Sequence, residues 1–103
     1  MPIEVFRTET EWSITLSGAI DIFEAQTLHA TALEAASQAP AVTVRLDAVR
    51  SVDASSTQVL IALTRALAAS GRLARLEGVP PAVETGWRLA GLDLQGDQPA
   101  AVS

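Results

Sequence analysis

A chain of 103 residues, 49% of them hydrophobic and with a formal net charge of −5, is expected to form one domain around a single core. It has no cysteine, no lysine and one histidine, His29, which excludes disulfides, thiolate or multi-histidine metal sites, Schiff-base chemistry and a phosphate-binding P-loop. The acidity argues against a nucleic-acid partner, no apolar run reaches the roughly 18 residues of a membrane span, and Met1-Pro2-Ile3-Glu4-Val5 does not open a signal peptide. A soluble, cytoplasmic binding or regulatory module is therefore expected, with no membrane insertion, no cofactor, no metal and no catalytic residue.

Ile3, Val5 and Phe6 suggest a short first strand, and Thr8 to Glu11 a polar turn. Trp12, Ile14 and Leu16 alternate with Ser13, Thr15 and Ser17, the period of a half-buried strand, so the two strands are expected to form an antiparallel hairpin. Gly18-Ala19-Ile20 breaks that alternation, and Asp21 is a candidate N-cap for a helix over Ile22 to Gln38. Phe23, Leu28, Ala32 and Ala35 or Ala36 fall near helical spacing as its apolar side, and His29 is expected at the exposed side or edge.

Val42, Val44 and Leu46 alternate in the next strand, which is expected to end at Asp47, with Val49 and Val52 continuing through a turn. A second helix is expected from about Ser55 to Ser70, with Val59, Leu60, Leu63, Ala66 and Leu67 as its stripe and Gly71 as the C-cap signal. Arg72 to Glu77 reads as a short strand, with Arg65, Arg72 and Arg75 on solvated faces. Val79-Pro80-Pro81 opens a third helix with Ala82, Val83, Gly86, Trp87 and Leu89-Ala90 on its apolar side, Gly91 ends it, and Leu92 and Leu94 suggest a last strand. Both Trp12 and Trp87 are expected in the core. Residues 1–94 form the domain on this reading, and 95–103 a flexible tail. The element order implies an α/β layer with parallel crossovers.

The stretch Val52-Asp53-Ala54-Ser55-Ser56-Thr57-Gln58-Val59-Leu60 sets hydroxyls beside a carboxylate where a strand hands over to a helix. A helix start exposes unpartnered amides and favours an anion, so a phosphate ester on Ser55 would be partly offset there, with Asp53 opposing it. On local chemistry alone the same run is that of an ordinary N-cap. An acid–base pair of Asp21 and Asp53 is the enzymatic alternative, and it lacks a nucleophile and an orienting group.

The chain resembles the STAS domain family of bacterial anti-sigma-factor antagonists over about residues 3 to 94. The likeness rests on Leu16-Ser17-Gly18-Ala19-Ile20-Asp21 before a helix, on Val42-Thr43-Val44-Arg45-Leu46-Asp47 as central strand, and on the turn beginning Asp53-Ala54-Ser55-Ser56. In the family that turn is typically Asp-Ser-Ser-Gly, so Ala54 stands for its first serine and Ser56 for its glycine. The resemblance implies a mixed, mostly parallel sheet of four to five strands, with an N-terminal antiparallel hairpin and three helices packed on it. It also implies that Ser55 is the phosphoacceptor, with Ser56 second and Thr57 third, and that Asp21, Asp53, Ala54, Ser55, Ser56 and Thr57 bind the partner. That partner would be an ATP-dependent serine kinase that doubles as an anti-sigma factor and is released by phosphorylation. The alternative is a non-phosphorylated STAS subunit that regulates a partner ATPase.

Overall fold

The computed structural model describes residues 2–89. Strand β1 (Ile3–Arg7) pairs antiparallel with β2 (Trp12–Ile20), placing Ile3 opposite Leu16 and Arg7 opposite Trp12. The Thr8 hydroxyl organises the turn between them, accepting from the Glu11 amide at 3.0 Å and donating to the Glu11 carbonyl at 2.8 Å. Helix α1 (Ile22–Gln38) carries the chain to β3 (Ala41–Val52), which lies parallel to β2, and α2 (Ala54–Ala69) carries it to β4 (Leu73–Glu77), parallel to β3. Helix α3 (Pro81–Leu89) follows. The sheet order among the described residues is β1-β2-β3-β4, a mixed sheet with one antiparallel edge. The suggested strand at Leu92 and Leu94 and the tail over 95–103 lie outside the described residues.

One face of the sheet is apolar. Trp12, Ile14 and Leu16 on β2 and Val42, Val44 and Leu46 on β3 are buried there with Leu28, Leu60, Leu63, Leu67, Val83 and Trp87 from the helices. The alternate residues Ser13, Thr15, Arg45, Arg75 and Glu77 belong to the other face, as the period of two requires. On it Arg45 and Arg75 both lie 3.9 Å from Glu77, exposed pairs that contribute little to stability. Arg7 crosses the Trp12 ring 4.2 Å from its centroid.

Four expectations are corrected. Strand β3 does not stop at Asp47, and β2, whose alternation does break at Gly18-Ala19, stays paired with it. Both strands run on to Ile20 and Val52 through two register shifts, between Thr15 and Ser17 and between Gly18 and Ala19. A bulge inserts residues without unpairing the strand, and Gly18, at φ +73°, takes a conformation suited to glycine. The shift also turns the buried side of β3 from Leu46 to Val49, which reads in the sequence as a lost period. Phe23 is 83% exposed, and Ala25 takes the inner position one turn before Leu28. At 100° per residue Phe23 lies about 140° from Leu28, too far round to share its stripe. In α2, Ala66 is exposed and Ile61 and Thr64 are buried, because α1 packs along this helix while its Leu60, Leu63 and Leu67 reach the sheet core.

The fourth correction is Arg72, which does more than face solvent. Gly71, at φ +73°, closes α2 with its amide on the Ala68 carbonyl, and the Arg72 amide bonds the Leu67 carbonyl, the double closure of a Schellman turn. This aims the Arg72 guanidinium at the end of α1, where it donates to the carbonyls of Ala39, at 2.8 Å, and Ala36, while Nε donates to Ser70 Oγ. Helix α1 has no basic residue in its last turn, so this cation serves its negative end from another element. Arg72→Ala should lower stability by about 1–3 kcal/mol, read as a fall in thermal midpoint.

Gly78 is equally constrained. Its φ is +68°, and a Cβ there would sit 2.8 Å from the Cβ of Asp47, against the backbone of β3. Gly78→Ala is therefore expected to cost about 1–3 kcal/mol in denaturant unfolding, whereas the same change at Gly18, with open space around it, should cost less.

Candidate functional site

The two longer helices begin side by side. Ile20 and Val52 are paired at the ends of the parallel strands β2 and β3, and the Asp53 amide donates to the Ile20 carbonyl at 2.9 Å. Each strand is followed by an aspartate and then at once by a helix. Asp21 accepts from the amides of Phe23 and Glu24 at 2.9 and 3.3 Å, and Asp53 accepts from the amide of Ser56 at 2.8 Å. Both carboxylates hold orphan amides of a first turn, which is why aspartate suits these positions. Two acidic caps thus share one edge of the domain.

Helical rotation then decides which side chains the edge displays. Ala54 and Ser55 are exposed, Asp53 is partly exposed, and Ser56 and Thr57 turn inward. Ser56 is fully buried, and its hydroxyl has no hydrogen-bond partner among the described residues. Thr57 Oγ1 donates to the Asp53 carbonyl at 2.8 Å and accepts from the Trp87 indole N–H at 2.9 Å. Of the six residues expected at the partner surface, Asp21, Asp53, Ala54 and Ser55 therefore reach this edge, and the side chains of Ser56 and Thr57 do not. Within Ser55-Ser56-Thr57 only Ser55 presents its hydroxyl to solvent. Ser56 lies within the first turn of α2 at negative φ, so the absent glycine leaves no backbone strain there.

The sequence reading missed two parts of this edge. Ile22 and Phe23, 61% and 83% exposed, open α1 directly after Asp21, so large apolar side chains flank the acidic cap. Such residues at a first turn read as core in a sequence, unless the helical angle to Leu28 is measured. The second is the bond from Trp87 to Thr57, which ties α3 to the start of α2; of the apolar side expected for α3, Val83 and Trp87 are buried, while Ala82, Gly86 and Leu89 are exposed. His29 is exposed on α1. Among the described residues, no group of three or more histidine, aspartate and glutamate side chains is placed to hold a metal, and no helix is long and apolar enough to cross a membrane.

Two substitutions test this inward turn. Ser56→Ala removes a buried hydroxyl without a partner and should raise stability by about 1 kcal/mol. Thr57→Val leaves the Trp87 N–H without its acceptor and should lower stability by about 1–3 kcal/mol, with a changed Trp87 fluorescence.

Comparison with known proteins agrees with this architecture. The sequence matches the family model described as Mlab, STAS domain, over residues 3–94, and the chain belongs to the STAS domain family. The structure is similar to the Bacillus cell-fate determinant SpoIIAA in its phosphorylated form, at 18% identity and a TM-score of 0.74, covering 87% of this chain and 84% of that one. It is similar to RsbS from Moorella thermoacetica, in a glutamate-substituted variant, at 21% identity and a TM-score of 0.74, covering 93% and 83%. An anti-sigma factor antagonist from Mycobacterium paratuberculosis aligns at 22% identity and a TM-score of 0.72, covering 94% and 81%. At these identities the likeness is one of fold. No curated protein matches the sequence.

Proposed function

We propose that this STAS domain is an anti-sigma-factor-antagonist type of interaction module, bound by an ATP-dependent serine kinase that doubles as an anti-sigma factor. Asp21, Asp53, Ala54 and Ser55 form the contact edge, and phosphorylation of Ser55 ends the binding. The observation that carries the reading is the exposure of Ser55 in the first turn of α2, ahead of the buried hydroxyls of Ser56 and Thr57 and beside two acidic caps. A kinase can reach that hydroxyl without opening the fold. Exposed Ile22 and Phe23 add apolar area to the same edge, the kind of surface a protein partner covers.

A phosphate on Ser55 brings about −1.5 to −2 charges to this edge. A partner that had buried the neutral hydroxyl would face a dianion in its place. Desolvation and like-charge contact then weaken binding by several kcal/mol, where about 1.4 kcal/mol is tenfold.

The fixed carboxylate of Asp53, held on the Ser56 amide, favours a second reading. Its negative charge opposes a dianion two residues away, and a domain that regulates a partner ATPase without being phosphorylated would never meet that opposition.

The test is incubation with a serine kinase of the anti-sigma-factor class encoded beside this gene, followed by phosphosite mapping. Label on Ser55 that is lost in Ser55→Ala, and at least about tenfold weaker partner binding by Ser55→Asp, are expected. Absence of label, together with unchanged binding by Ser55→Asp, would favour the second reading.

A further inference from the structure

A solvent-open cleft of about 390 Å³ lies between the end of β3, the first turn of α2 and α3. Val52, Ala54, Val83 and Trp87 give it apolar walls, and Arg50 and Gln58 are exposed residues of its lining. It is lined by one guanidinium and no carboxylate, in a chain whose net charge is −5. That guanidinium is uncommitted. Arg7, Arg45, Arg75 and Arg88 each lie beside a carboxylate, and Arg72 is held by two carbonyls and a hydroxyl. Arg50 has no such partner among the described residues.

We infer that this cleft is a second contact site, taking a segment of a protein partner that sets a large apolar side chain beside a carboxylate. The walls bury the apolar group, and the planar fork of Arg50 donates to the carboxylate, whose charge the acidic remainder of the surface repels. A single cation does not hold a polyphosphate chain, so nucleic acid does not fit. The open mouth suits a side chain projecting from another protein better than a small ligand, which a pocket normally encloses on most of its surface. The site stands on the cleft and on Arg50, so it holds whether or not Ser55 is phosphorylated.

Trp87 supplies the readout, because its indole N–H is held on Thr57 Oγ1 and its ring lines the cleft. The full chain is titrated with the blocked peptide Ala-Phe-Asp-Ala, and with Ala-Phe-Lys-Ala, while the Trp87 indole resonance is followed by heteronuclear NMR. Trp12→Phe assigns the two indole signals. The acidic peptide should shift the Trp87 resonance saturably, and Arg50→Ala should weaken it about fivefold. Arg50→Glu should reverse the preference towards the lysine peptide. Both variants alter an exposed side chain, and thermal melts establish that they fold. No saturable shift, or equal binding of the two peptides by the unsubstituted chain, would overturn the inference. A Trp87 shift that follows protein concentration alone would also overturn it and assign the cleft to a second copy of the chain.

Discussion

The hydrogen bond from the Asp53 amide to the Ile20 carbonyl joins the two places where this chain turns from strand to helix. Parallel strands end on the same side of a sheet, and open α/β sheets place their sites beyond those ends. Here β2 and β3 stay paired to their last residues only because two register shifts absorb the extra residues on the way. Without them Asp21 and Asp53 would leave the sheet at different levels, and the two first turns would not form one edge. Irregularity in the strands is thus what makes the edge regular.

Within that edge the division between surface and interior is set by a single helical rotation. Asp53 fixes the phase of α2 by accepting from the Ser56 amide, and the phase places Ser55 outside and Ser56 and Thr57 inside. Thr57 is fully used, as acceptor for Trp87 and donor to Asp53, so it joins the cap, the helix and α3 in one chain of bonds. Ser56 has no such role. An unpartnered hydroxyl in the interior opposes folding, and alanine would serve the packing as well. Nothing in the described packing explains why a serine occupies this position.

Much of the architecture was legible in the sequence because it depends on local rules. The alternation of Trp12, Ile14 and Leu16, the caps at Asp21 and Asp53 and the stop at Gly71 each follow from one residue's own chemistry. What was not legible depends on pairing across the chain. The continuation of β3 past Asp47 depends on two bulges in β3 itself, visible only against its pairing with β2, and the outward turn of Phe23 on the direction in which α1 packs. Arg72 read as a solvated cation because its carbonyl partners lie more than 30 residues away in α1, reached only after Gly71 reverses the chain. At the candidate site the residue types were legible and their facing was not. Three consecutive hydroxyls look alike in sequence, and the first turn of α2 separates them.

The same geometry bears on how a charge at Ser55 would be felt. The first turn of α2 offsets an added anion by about 0.3–1 kcal/mol, as at any helix N-terminus. Asp53, two residues back and fixed on the Ser56 amide, opposes it by a comparable amount in a solvated setting, where two unit charges several ångströms apart interact by about 1 kcal/mol. These opposing effects nearly cancel, so the folded domain is almost indifferent to the modification. A partner covering the edge removes the water that screens the charge, and the effective dielectric then falls. The helix-end offset and the Asp53 repulsion grow together, so what weakens the complex is the desolvation of the dianion and its repulsion from any partner carboxylate. Phosphorylation in the proposed role would therefore act on the complex and leave the free domain folded, as a reversible binding switch requires.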